Sequence, residues 1–235
     1  MKTYLARVAC LGQWALNNLR LNNNDKEVHN QQKTRVDLFL DVESGKLKRT
    51  KFKSAMSYIK RSDITNAIKS QETMMWLEDV KPAAIIMDSF AELTDQRFNH
   101  KTEKWAFCSN YSDIRHSAEF NASFHKLGLL DNDKLYNHYD KFFAMVRRKY
   151  DCPLAFIHFP ADLDEREVFQ NRYKAILEAI APLASKYDIL EVAADPGAVE
   201  PRVNSHEAIV SSPYHFSDAT IKHFSDKIKA DGRIR

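Results

Sequence analysis

KPAAIIMDSFAELTDQRF, residues 81–98, decides how the chain folds. Pro82 punctuates it, Ala83 to Met87 run without a polar interruption, and Asp88-Ser89 open a segment with the chemistry of a helix start. An apolar run that does not alternate fits a strand buried on both faces, as strands of parallel sheets are. In open sheets of that kind, ligands gather beyond the carboxyl ends of the strands. Asp88 and Ser89 fall at such an end.

Downstream the pattern repeats. Residues 133–150 place Leu135, Tyr139, Phe142, Phe143 and Val146 at helical spacing, and Arg147-Arg148-Lys149 suit the negative end of a helix dipole. CPLAFIHF (152–159) is a second buried strand, residues 164–186 a second long helix, and DILEVAA (188–194) a third strand. A turn-rich loop covers 195–201, and Ser217 or Asp218 caps a closing helix to about Ala230. Upstream, YLARVACL (4–11) is the first strand, turning at Gly12 into a helix that ends near Leu21. Residues 22–30 are a polar loop. VDLFLDV (36–42) alternates and is β-branched, which predicts a strand, and Glu43-Ser44-Gly45-Lys46 is a turn from which 47–52 can return as a hairpin partner. Ser62-Asp63 can cap a helix over 64–79. Segment 99–128 carries Trp105, Phe107, Tyr111, Phe120 and Phe124; it is packed, but its element boundaries are not marked. Strands alternating with helices from residue 83 onward predict a mostly parallel five-stranded sheet with helices on both faces. With no internal repeat or linker, one α/β domain over 1–235 is the expectation.

Composition narrows the functional classes. Hydrophobic residues make up 44% and charged residues 29%, an ordinary globular balance. No apolar run approaches the roughly 18 residues of a membrane span, and the N-terminus is too interrupted for a secretory leader. The net charge of +3 comes from mixed charges, so nucleic-acid binding is not implied. Cys10, Cys108 and Cys152 are odd in number and widely spaced, which argues against a disulfide framework or zinc ribbon and predicts a reducing, cytoplasmic location. Neither GxGxxG nor GxxxxGK[ST] occurs among five glycines, and there is no HxH or HExxH, so neither a cofactor nor a metal is implied.

Ser89, just past a buried strand, can present its hydroxyl beside backbone N–H groups able to hold an oxyanion. It needs a base to take its proton, and its competing role is merely to cap the next helix. His215, in the loop SSPYHFSD before the closing helix, is the candidate base. Its alternative is a surface histidine. His223 and His158 read as surface or core residues. Asp88, Glu92, Asp195 and Asp218 all lie where a carboxylate could orient His215, and spacing does not choose among them. Cys10 is the rival nucleophile, ending the first strand just before Gly12. The commoner fate of a lone cysteine is a small buried hydrophobe.

Asp88-Ser89-Phe90 after an apolar strand, and Pro213-Tyr214-His215 before a helix, resemble the SGNH (GDSL-like) hydrolase superfamily. YIKRSDI (58–64), IIMDSFAELTDQRF and SSPYHFSDATIKHF are similar to bacterial SGNH-like proteins associated with surface polysaccharide and capsule genes. The resemblance implies a flavodoxin-like three-layer sandwich and a Ser (or Cys)-His-Asp site for ester hydrolysis or O-acyl (acetyl) transfer on a carbohydrate. It also departs from the family. Met87 stands where the family has glycine, Ser212 where it has the aspartate before the histidine, and Asn110 is a poor substitute for the Gly-x-Asn-Asp block. In the family the nucleophile follows the first strand, which places Cys10 there and leaves Ser89 on a later strand. A catalytically inactive module binding a glycan or a partner is the alternative, and a nucleotide- or coenzyme A-dependent transferase a third reading.

Overall fold

The computed structural model describes residues 2–21, 25–202 and 213–234. Its frame starts with β1 (Lys2–Arg7), α1 (Cys10–Asn18), β2 (Lys26–Asn30) and α2 (Val36–Glu43). Two short helices, α3 (Phe52–Met56) and α4 (Thr65–Thr73), lead to β3 (Ala84–Asp88) and one turn of helix, α5 (Phe90–Thr94). An antiparallel sheet follows, built from β4 (Asp95–His100), β5 (Ala106–Asn110) and, after α6 (Ala118–Ser123), β6 (Phe124–Gly128). The chain then completes the parallel sheet with α7 (Leu135–Lys149), β7 (Leu154–Ile157), α8 (Glu167–Lys186), β8 (Ile189–Val192) and α9 (Asp218–Asp231).

The main sheet has the order β2-β1-β3-β7-β8, and every pairing in it is parallel. Counted along the sheet's own strands this is the 2-1-3-4-5 order of flavodoxin-like folds, with its topological switch between β1 and β3. All of β3 and β7 is buried, because α1 and α9 pack together while α7 packs on α2 and α8. The expected five-stranded parallel α/β architecture is what the chain forms. Among the described residues, no helix is long and apolar enough to cross a membrane.

The second sheet has its own core. Phe98 pairs across from Phe107, and both pack with Trp105, Phe120 and Phe124 against Ile59, Ile64 and Ile68. Segment 99–128 is thus a packed antiparallel unit beside the parallel sheet.

Three sequence expectations are corrected. Residues 36–42 form helix α2, not a strand. Phe39 enters the main core against Trp76 and Phe142, Leu38 faces Met74 and Cys108 in another cluster, and Asp37 is held by Arg35 and Arg97. A helix wedged between two units buries most of its circumference, so strand-like alternation arose without a strand. Residues 47–52 make no hairpin; they contribute one isolated bridge, Lys48 to Trp105, before α3. The loop expected over 22–30 contains β2, a polar edge strand, while 22–24 lie outside the described residues.

Candidate functional site

Beyond the carboxyl ends of β1 and β3, the turn from β1 into α1 is clamped from both sides. Asp88, at the end of β3 and 2% exposed, accepts the Ala9 N–H on Oδ2 at 2.6 Å and the Phe90 N–H on Oδ1 at 3.1 Å. From β2, the Asn30 amide accepts the Val8 N–H and donates to the Val8 carbonyl, both at 3.1 Å, and donates to Gln13 Oε1 at 2.8 Å. Beneath the turn, Arg7 donates to both oxygens of Glu92 at 2.9 and 3.0 Å and to the Asp88 carbonyl at 3.2 Å.

Cys10 is the first residue of α1. Its half-buried thiol points to the Tyr214 carbonyl at 3.7 Å. Burial and the charge of Asp88 push the thiol up to about 11, while the N–H groups of Leu11 and Cys10 and the more distant Lys33 pull it down. Tyr214 fixes the loop that carries His215: its ring packs edge-on against Phe90 and Phe159, and its hydroxyl donates to Asp164. The His215 carbonyl accepts the Arg202 N–H at 3.0 Å. Cys10 and His215 line one cavity of about 820 Å³, between the sheet edge and the antiparallel unit.

The other expected residues are placed differently. Ser89 is fully buried as the first residue before α5; its Oγ accepts the Phe159 N–H at 2.9 Å and its own N–H donates to Ile157 O at 3.1 Å. It splices β3 to the end of β7 and does not line the cavity. Asp218 starts α9, is exposed, and lines a separate groove with Trp14 and Arg202. Asp195 pairs with Lys227 and His223. His158 Nε2 pairs with Glu191 at 2.7 Å. Among the described residues no carboxylate hydrogen-bonds the His215 ring, and no hydrogen bond joins that ring to Cys10. Ser212, where the sequence resemblance expects the aspartate before the histidine, lies outside the described residues.

Sequence reasoning missed the cavity's polar wall. Lys33, in a left-handed backbone conformation (φ 54°), reaches Asp95 at 3.1 Å and Asp113 at 3.2 Å. Arg61 joins Asp63 at 2.5 Å and Asp113 at 3.4 Å. A positive φ on a non-glycine residue beside a cavity was the signal, and it is invisible before the fold is known.

Gly12 shows how tightly the turn is built. A Cβ there would lie 2.5 Å from Val8 Cβ, 2.8 Å from Val8 Cγ1 and 3.1 Å from Asp88 Oδ2. Alanine normally improves a helix by about 0.5–1 kcal/mol over glycine. Here Gly12→Ala is expected to destabilise the protein by about 1–3 kcal/mol through overpacking, read by denaturant unfolding. A stabilised variant would show that the turn yields freely.

No family model matches the chain, and the comparison with curated proteins found no match. Among solved structures, a GDSL-like lipase from Bacteroides thetaiotaomicron is similar, at 9% identity and a TM-score of 0.49, covering 98% of this chain and 86% of that one. A likeness that distant has no bearing on residues or activity.

Proposed function

We propose that the chain hydrolyses or transfers an acyl group carried by a carbohydrate ester, with Cys10 as nucleophile and His215 as base. The supporting observation is that Cys10 opens a helix at the sheet's switch point and shares one cavity with His215. Trp14, Tyr111 and Phe169 add aromatic surface to the lining, each with one ring face already covered, by Arg202, His116 and Arg166 respectively. The cavity lies where open parallel sheets hold ligands. Ser89, the other candidate nucleophile, has its hydroxyl engaged in the core.

In the proposed reaction His215 takes the thiol proton, and the thiolate attacks the acyl carbonyl carbon, forming a C–S bond. The carbonyl oxygen gains negative charge facing the N–H groups at the start of α1. As the C–O bond breaks, the imidazolium protonates the departing alcohol. Water or a second sugar hydroxyl, deprotonated by His215, then attacks the thioester and restores the thiol. A thiol held near 11 is almost entirely protonated at neutral pH, so the base is indispensable, and ligand binding has to bring the imidazole within hydrogen-bond reach of Sγ.

With p-nitrophenyl acetate, Cys10→Ala and His215→Ala are each expected to lower nitrophenol release at least about ten-fold. Ser89→Ala keeps the rate within about three-fold and loses about 1 kcal/mol of stability from the orphaned Phe159 N–H. An unchanged rate in Cys10→Ala would refute the assignment.

The protonated thiol and the lack of a carboxylate on His215 among the described residues favour a second reading, a binding module without turnover. That reading predicts no nitrophenol release together with saturable thermal stabilisation by an acylated sugar.

A further inference from the structure

We infer that this cavity selects uncharged acyl carriers and rejects anionic ones, such as phosphate-bearing thioesters or nucleotide-linked donors. The inference rests on the proposed chemistry for calling the ligand an acyl carrier; the charge selection itself follows from the wall of the cavity.

Every full cation on that wall, among the described residues, is already matched. Lys33, its side chain 13% exposed, is held by Asp95 and Asp113, whose side chains are 0% and 3% exposed. Arg61 is held by Asp63 through two nitrogens and shares Asp113. Arg166 makes two bonds to Asp164, at 2.8 and 2.7 Å, and its guanidinium lies 4.2 Å over the Phe169 ring. Two of these carboxylates, Asp63 and Asp113, line the cavity with the three cations, and Asp95 and Asp164 lie buried just behind it; with these partners counted, the paired groups give a sum of −1. Protonation of Asp95 would bring it only to zero. Asp88, behind the Cys10 turn, adds no positive charge either.

Sites that take phosphates present unmatched Arg or Lys, or helix N-terminal N–H groups with a glycine cradle. Here no glycine cradle precedes the start of α1, and the guanidinium forks are spent on carboxylates. What the wall still offers is hydrogen bonding. An ammonium has three N–H groups and Lys33 gives two to its carboxylates. Gln32, Gln96 and Asn110 supply neutral donors and acceptors. Paired charges and amides around aromatic faces suit a neutral polyol.

The test compares alkylation of Cys10 by iodoacetamide and by iodoacetate, reagents of one size that differ by one negative charge, with peptide mapping to separate Cys10 from Cys152. The reference is the same cysteine in the urea-unfolded chain. One unbalanced charge at a partly screened site corresponds to roughly a five-fold rate difference. The iodoacetate-to-iodoacetamide ratio at folded Cys10 is therefore expected about five-fold below the unfolded reference. Asp63→Asn, an exposed change that removes one carboxylate, should return the ratio to the reference. A folded ratio equal to or above the reference overturns the charge selection while leaving the nucleophile assignment standing. Because the thiol is largely protonated at neutral pH, the alkylation is run at about pH 10, where thiolate is present; failure of both reagents to reach Cys10 there overturns both, since no ligand can be chosen at a thiol it cannot approach.

Discussion

Glu92→Ala is expected to remove about 3–5 kcal/mol of folding stability, the cost of leaving a buried charge without its partner. The Glu92 side chain is fully buried and receives four hydrogen bonds: two from Arg7, one from the Val36 N–H at 2.8 Å and one from the Tyr139 hydroxyl at 2.9 Å. These partners come from β1, α2 and α7, so one carboxylate on α5 ties four elements together directly below the Cys10 turn. Truncation strands the Arg7 guanidinium, whose Nε already has no partner, along with a buried amide and a phenol. For a chain of this size the melting temperature should fall by about 10 °C or more. A loss below about 1 kcal/mol would mean that water replaces the carboxylate at little cost.

The second large effect is a pH dependence set by Asp88. Burial raises its carboxyl to about 7, against the opposing pull of the Ala9 and Phe90 N–H groups and Arg7. In the unfolded chain the same group titrates near 4. Between those values the folded state binds the extra proton. The contribution of Asp88 to stability is therefore whole below about pH 4 and is lost as pH rises through about 7. The full span is on the order of 4 kcal/mol. Urea unfolding at intervals from pH 4 to 8 should show wild-type stability falling relative to Asp88→Asn, which has no such titration. The groups around Asp88 are Arg7, Glu92 and Cys10, so a parallel pH trend in both proteins would assign the slope elsewhere.

The elements that could be read from sequence alone were those whose burial is simple. β3 and β7 are apolar on both faces because helices cover both faces, and α7 carries one clean stripe. Where an element meets two environments the pattern misleads, as in α2, whose Leu38 and Phe39 enter different clusters. β2 was missed because an edge strand with one neighbour needs no apolar run. At the site, the Pro213-Tyr214-His215 loop and Cys10 could be singled out from local chemistry, and the fold brings them into one cavity. The burial of Ser89 could not be foreseen, because it depends on the end of β7, 70 residues away. The Lys33 cluster could not either: its carboxylates lie 62 and 80 residues off, and only the packing of the antiparallel unit onto the parallel sheet joins them.

The role of Cys10 is read most directly from the intact mass of the protein after brief exposure to p-nitrophenyl acetate, with peptide mapping of any adduct. A single acetyl group on Cys10 is expected, missing from Cys10→Ala and slow to form in His215→Ala. An acetyl group on Ser89, or turnover with no trace of acylated Cys10 at any time point, would rule out Cys10 as the nucleophile.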